Sequence, residues 1–198
     1  MRAWRPGSRA PAEWLVVGLG NPGSRYEGTP HNVGFEVARA LIERWELGQP
    51  RKRFAGLLAE GRIPGPARAG GQRPRVAVLM PQTYMNDSGR SAGPARGALR
   101  IADLDHVLVV HDEIDLPFGE VRTRVGGGLA GHNGLKSLRA ALGSPDFARV
   151  RVGVGRPDST DPEIVAAHVL GRWRESRADV HRLVEDAADA AERVVLGG

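Results

Sequence analysis

The sequence predicts an α/β sandwich built around a mixed sheet. Three observations carry this reading. Short apolar runs, Trp14-Leu-Val-Val-Gly18 and His106–His111 foremost, read as buried strands. Segments of helical period lie between them, the clearest placing Val33, Val37, Leu41 and Trp45 on one stripe. Strands that alternate with helices in this way form a sheet covered by helices.

At 198 residues the chain favours one domain with room for a buried core. Residues 1–13 are rich in Arg, Pro and Ala, and Pro6, Gly7 and Pro11 keep a helix from settling. They predict a flexible basic extension to a domain spanning 14–198. After the first strand, Leu19–His31 holds too much Gly and Pro for a helix, so helix begins beyond Pro30 with Thr29 as its N-cap. Arg53–Arg62 and Arg75–Pro81 predict two strands flanking a loose Gly/Pro-rich loop at 64–74. Ser88–Arg100 predicts a helix that Gly93-Pro94 threatens to break.

His106–His111 is apolar enough for the middle of a sheet, and its C-terminal end carries Asp112-Glu-Ile-Asp115. Gly119–Val125 alternates as a strand, Gly126–Gly131 is a flexible loop, and Asn133–Leu142 is a helix with Leu135, Leu138 and Leu142 inward. Ala148–Gly155 has a strand's period of two. From Pro162 the chain is helical, ending in an acidic amphipathic helix from about Ser176 to Val195.

Composition excludes several classes. With 41% hydrophobic and 26% charged residues the chain is neither disordered nor fibrous. No apolar run approaches the roughly 18 residues of a membrane span, so a cytoplasmic protein without a membrane partner is expected. The absence of cysteine rules out disulfides, thiolate metal sites and cysteine nucleophiles. The net charge is +5, but residues 1–156 carry +9 and residues 157–198 carry −4. Such asymmetry fits a protein that meets a polyanion with one face.

Gly18-Leu-Gly-Asn-Pro-Gly23 follows a strand and matches the dinucleotide fingerprint. That mechanism needs a helix to open at the glycines. Pro22, Gly23, Gly28 and Pro30 prevent it, so a tight turn presenting Asn21 is the better reading. Polar residues gather at element ends: Asn21, His31, Asn32, Asn86, His111, Asp112, Asp115, His132 and Asn133. Their chemistry fits together, since His accepts a proton near neutral pH, a carboxylate fixes its tautomer, and carboxamides donate to an oxyanion. A metal site on His106 and His111 is disfavoured because five residues along a strand point to opposite faces. No phosphate-binding P-loop is present.

Several stretches taken together resemble the bacterial peptidyl-tRNA hydrolase family. They are Val17–Gly23 with Tyr26, Thr29-Pro-His-Asn-Val-Gly-Phe35, Pro81-Gln-Thr-Tyr-Met-Asn-Asp-Ser-Gly89, His111-Asp-Glu-Ile-Asp-Leu-Pro117 and Gly126-Gly-Gly-Leu-Ala-Gly-His-Asn-Gly134. The resemblance runs from about residue 14 to 195. It implies a single-domain three-layer sandwich with a twisted mixed sheet flanked by helices. It also implies a monomeric cytoplasmic esterase, needing no cofactor or metal, that cleaves the bond between a peptide and the 3′ end of tRNA. Carried over by position, it implies His31 as the base that activates water and Asp112 as the carboxylate that holds it. Asn21 is implied as the residue that distinguishes N-blocked from free aminoacyl-tRNA. Tyr26, Tyr84, Asn86 and Asn133 are implied contacts to the tRNA or the peptidyl-adenosine end, and Met85 and His132 lie in the same blocks and line the cleft.

Arg122, Arg124, Lys136 and Arg139 flank the Gly-rich loop and its helix and are candidates for phosphate contacts. Two positions depart from the family pattern: Pro30 stands where Arg is usual, and Ala130 where Gly is usual. A protein of this fold that binds tRNA or other RNA without turnover is the alternative reading.

Overall fold

The computed structural model describes residues 11–66 and 71–197. Seven strands form one mixed sheet in the order β2-β3-β4-β1-β5-β7-β6. These are β1 (Trp14–Gly18), β2 (Arg51–Arg53), β3 (Gly56–Arg62), β4 (Arg75–Pro81), β5 (Val107–Glu113), β6 (Val121–Val125) and β7 (Ala148–Gly153). The central strands β4, β1, β5 and β7 run parallel; on one side antiparallel β3 and then β2 extend the sheet, on the other antiparallel β6 does, so β2 and β6 are its edges. The helices are α1 (Val33–Arg44), α2 (Gly89–Leu99), α3 (Asn133–Leu142), α4 (Pro162–Leu170) and α5 (Arg177–Leu196).

Strand alternation builds two cores. Val16, Val78, Leu108, Val110 and Val150 face α1 and α5, while Leu15, Val17, Leu79, Val107 and Val109 face α2 and α3. The three-layer sandwich expected from the sequence is therefore the structure. Its active edge follows from connectivity: the loops after β1 and β4 leave toward helices on opposite faces, which opens a crevice at the carboxyl ends of the strands.

Four local expectations change. The strand expected from Arg53 is cut by a hairpin whose two central residues, Phe54 and Ala55, have φ of 52° and 50°. No Asn-Gly or Gly-rich pair announces this turn. Pro94 does not break α2, because it lies on the solvent face where water can satisfy the carbonyl its missing N–H leaves free. The strand expected at His106–His111 starts one residue later and runs on through Asp112 and Glu113, which brings both carboxylates into the sheet edge. Of the expected N-terminal extension, residues 1–10 lie outside the described residues. Ala12 is buried and the Glu13 N–H donates to the Arg75 carbonyl at 2.7 Å, so the sheet already holds the chain there. Residues 67–70 of the expected loose loop also lie outside the described residues.

Candidate active site

The turn after β1 is fixed by carboxamides. The Asn21 N–H donates to Asn32 Oδ1 at 2.8 Å, and Asn32 Nδ2 donates back to the Asn21 carbonyl at 2.9 Å. Asn21 Oδ1 in turn accepts the Met85 N–H at 2.8 Å, which ties the loop after β1 to the loop after β4. This spends the side-chain oxygen and leaves the Asn21 NH₂ as a donor at the crevice. Thr29 is not the cap of α1: its hydroxyl donates to the Tyr26 carbonyl at 2.8 Å, and a 3-10 turn, Pro30–Asn32, intervenes. Pro30 opens that turn and holds Thr29 extended, at φ −110° and ψ 149°. His31 is thereby delivered to the mouth of the crevice.

Asp112 shares the parity of Val110 on β5 and so lies on the α1 side, facing His31. His31 Nδ1 lies 2.9 and 3.0 Å from the two oxygens of Asp112. A carboxylate only accepts, so Nδ1 carries the proton and Nε2 keeps its lone pair. His31 Nε2 has no hydrogen-bond partner among the described residues, and the side chain is 14% exposed. Burial works against protonation of this ring, but the charge and hydrogen bond of Asp112 outweigh it and raise the pKa above the ordinary histidine value. Burial likewise opposes ionisation of Asp112, yet the two facing histidines hold it well below the ordinary carboxylate range.

The second of these histidines is His132. Its Nε2 is 3.0 Å from Asp112 Oδ1, and its Nδ1 accepts the Gly134 and Leu135 N–H groups at 3.1 and 3.4 Å as the N-cap of α3. Around these groups lies a cleft of about 560 Å³ lined by Asn21, Met85, Asn86, Ala130, Gly131 and Asn133, among others. Its far wall is apolar and comes from Val165, Ala166, Val169 and Leu170 of α4.

The profile of the family described as Peptidyl-tRNA hydrolase matches residues 15–198. The chain belongs to this family. A peptidyl-tRNA hydrolase of Kineococcus radiotolerans is 48% identical over 189 residues, covering 93% of this chain and 92% of that one. One from Halalkalibacterium halodurans is 44% identical, covering 90% and 91%. The crystal structure of peptidyl-tRNA hydrolase from Acinetobacter baumannii superposes with a TM-score of 0.77 at 36% identity, covering 96% of this chain and 92% of that one.

Of the residues the family resemblance singled out, Asn21, His31, Met85, Asn86, Asp112, His132 and Asn133 line this one cleft. Tyr26 and Tyr84 do not line it; they meet edge to face at 6.4 Å, and Tyr84 is 60% exposed. Arg124 and Lys136 are exposed on β6 and α3, outside the cleft. The apolar wall of α4 escaped the sequence reading because its residues form no polar motif. Arg149 escaped it too. It is buried, and its guanidinium donates to the carbonyls of Gly128 at 2.7 Å and of Gly127 and Pro145 at 3.1 Å, anchoring the Gly-rich loop.

Two other chemistries meet specific obstacles. His31, Asp112 and His132 are close enough together to suggest a metal site. Because His132 Nδ1 accepts helix amides, its Nε2 must carry a hydrogen, which blocks the lone pair a metal would need. Gly89-Arg-Ser-Ala-Gly93 has the spacing of a serine-hydrolase elbow, but Ser91 is fully buried inside α2, away from any strand-to-helix turn.

Proposed function

We propose that this enzyme hydrolyses the ester between a peptide, or any N-blocked aminoacyl group, and the 3′ end of tRNA, with His31 as general base. The observation that carries the reading is the His31–Asp112 pair, with Nδ1 held by the carboxylate and Nε2 unengaged at a cleft rimmed by carboxamides. Nε2 takes a proton from water as the water oxygen adds to the ester carbonyl. The Asn86 carboxamide or a backbone N–H stabilises the tetrahedral oxyanion. Collapse expels the ribose oxygen, which takes the proton back from His31. A ribose oxygen is a good enough leaving group that one base and one oxyanion donor suffice.

Asn21 offers its free NH₂ to the acyl end of the substrate, where a neutral blocked nitrogen and a charged amine differ. Asn133, Met85, Tyr26 and Tyr84 contact the terminal adenosine and its neighbours. The domain acts as one unit, as a monomer in the cytoplasm, and includes Ala12 and Glu13, which the sheet already holds.

The test compares N-acetyl-aminoacyl-tRNA with the same tRNA bearing a free α-amine, in EDTA. Cleavage of the blocked substrate alone is expected. His31→Ala lowers kcat/KM by about 10²–10⁴-fold. Only neutral His31 is a base, so kcat/KM rises with pH through a midpoint above the ordinary histidine value. Full activity in His31→Ala overturns the assignment of the base, and tight binding of tRNA without cleavage returns the protein to the RNA-binding alternative.

A further inference from the structure

Asp112 serves two histidines. Only His31 has a free nitrogen, since His132 is engaged at both: Nε2–H donates to Asp112 Oδ1, and Nδ1 accepts from the first amides of α3. That bonding pattern fixes His132 as the neutral Nε2–H tautomer, because a protonated ring could not accept helix N–H groups. The ring is 7% exposed and packs 5.0 Å, centre to centre, from His31. It therefore links the positive end of the α3 dipole to the buried carboxylate that faces the base.

We propose that His132 is a positioning residue: its ring couples the N-terminal amides of α3 to Asp112, so that the carboxylate divides its charge between two donors instead of giving all of it to His31. The inference rests on reading His31 as the base. Its consequence has a definite sign. Without the second donor, Asp112 attracts the His31 proton more strongly, and water admitted beside the pair relieves the burial that opposes charge on His31. Both effects favour the protonated, inactive ring.

The other titratable groups nearby do not supply this effect. His111, on the neighbouring position of β5, donates Nδ1–H to the Asp112 carbonyl at 2.7 Å and is pushed down to about 3, chiefly by burial, so it stays neutral. Glu113 is held by Arg151 at 3.1 Å. The α4 side chains lining the cleft carry no charge.

The informative variant is His132→Asn. Asn is a strong N-cap and keeps the bonds to Gly134 and Leu135, but it is too short to reach Asp112 as well. The urea midpoint is therefore expected to match wild type. The acidic limb of kcat/KM is expected to move up by about half a pH unit, a deficit of about threefold below the limb that closes above it. His132→Ala, which loses the cap too, shows the same shift with a lower urea midpoint. NMR titration of the histidine rings follows His31 independently of turnover, and the carbon shifts of His132 report its tautomer in the wild-type enzyme.

An Nδ1–H or charged His132 at neutral pH overturns the proposal. So does an unmoved His31 titration in His132→Asn with a deficit constant across pH, the signature of a helix cap alone. A His31 titration that moves while the rate limb stays put supports the coupling and defeats the reading of His31 as base.

Discussion

Ala130 shows how a single residue can be tolerated and costly at once. It precedes Gly131 in the loop that reaches the cleft, and its φ is 45°, in the left-handed region where a Cβ crowds the following carbonyl. Ala130→Gly is expected to stabilise the fold by up to ~1 kcal/mol, less a few tenths for the greater freedom of glycine in the unfolded chain. Urea denaturation checks it, and an unchanged or lower midpoint shows that the loop relaxes around alanine without strain. The family comparison made Ala130 conspicuous in the sequence, but only the backbone decides whether the substitution matters. The same holds for the site as a whole. His31, Asp112 and the three asparagines were legible as residue types suited to one chemistry. That Asp112 is shared with His132 was not, because it depends on the tautomer that α3 imposes.

At the scale of elements, the glycines of the first turn do work that the sequence disguises. Gly18 and Gly20 have the spacing of a phosphate-binding fingerprint, yet their role here is close approach. A Cβ on Gly18 would sit 2.2 Å from the Gly34 carbonyl oxygen, and one on Gly34 would sit 2.5 Å from the Leu19 backbone and the Val110 carbonyl. Thus α1 lies directly on β1 and β5, and this contact sets the position of His31 two residues before the helix. Gly34→Ala is expected to cost about 1–3 kcal/mol through overpacking. The displaced base should also lower kcat by about 10²-fold, since a misplacement of about 1 Å is enough for that. Gly97, at an exposed position of α2 with open space around it, is the control. Gly97→Ala should gain ~0.5–1 kcal/mol and leave activity alone. Urea melts and turnover on the two variants check both, and equal behaviour would mean that α1 can shift without consequence. Periodicity could announce that α1 exists and which stripe it buries, because those are local properties. It could not announce how near α1 comes to the sheet, nor the hairpin at Phe54-Ala55, because neither has a local signature.

Across the whole molecule, the uneven charge of the sequence becomes a division between faces. The acidic excess of the C-terminal region is partly spent on the α1/α5 side, where Glu185, Asp189 and Glu192 converge on Arg44 at 2.6, 2.6 and 3.4 Å. On β6 and α3 the balance is opposite: Arg124, Lys136 and Arg139 have no acidic partner among the described residues, and Arg122 alone is paired, with Glu120. A net charge of +5 thus understates the potential that a phosphate backbone would meet beside the cleft. The sequence could show the asymmetry but not which arginines were already neutralised. If this face holds the acceptor arm, each phosphate contact releases counterions, and log kcat/KM for peptidyl-tRNA should fall linearly with log salt concentration. Arg124→Ala and Lys136→Ala should each reduce that slope by about 1 while leaving an N-acyl-adenosine mimic, too short to reach β6, hydrolysed as by wild type. A mimic as salt-sensitive as intact tRNA would place the electrostatics inside the cleft. Variants with an unchanged slope would move the tRNA to another face.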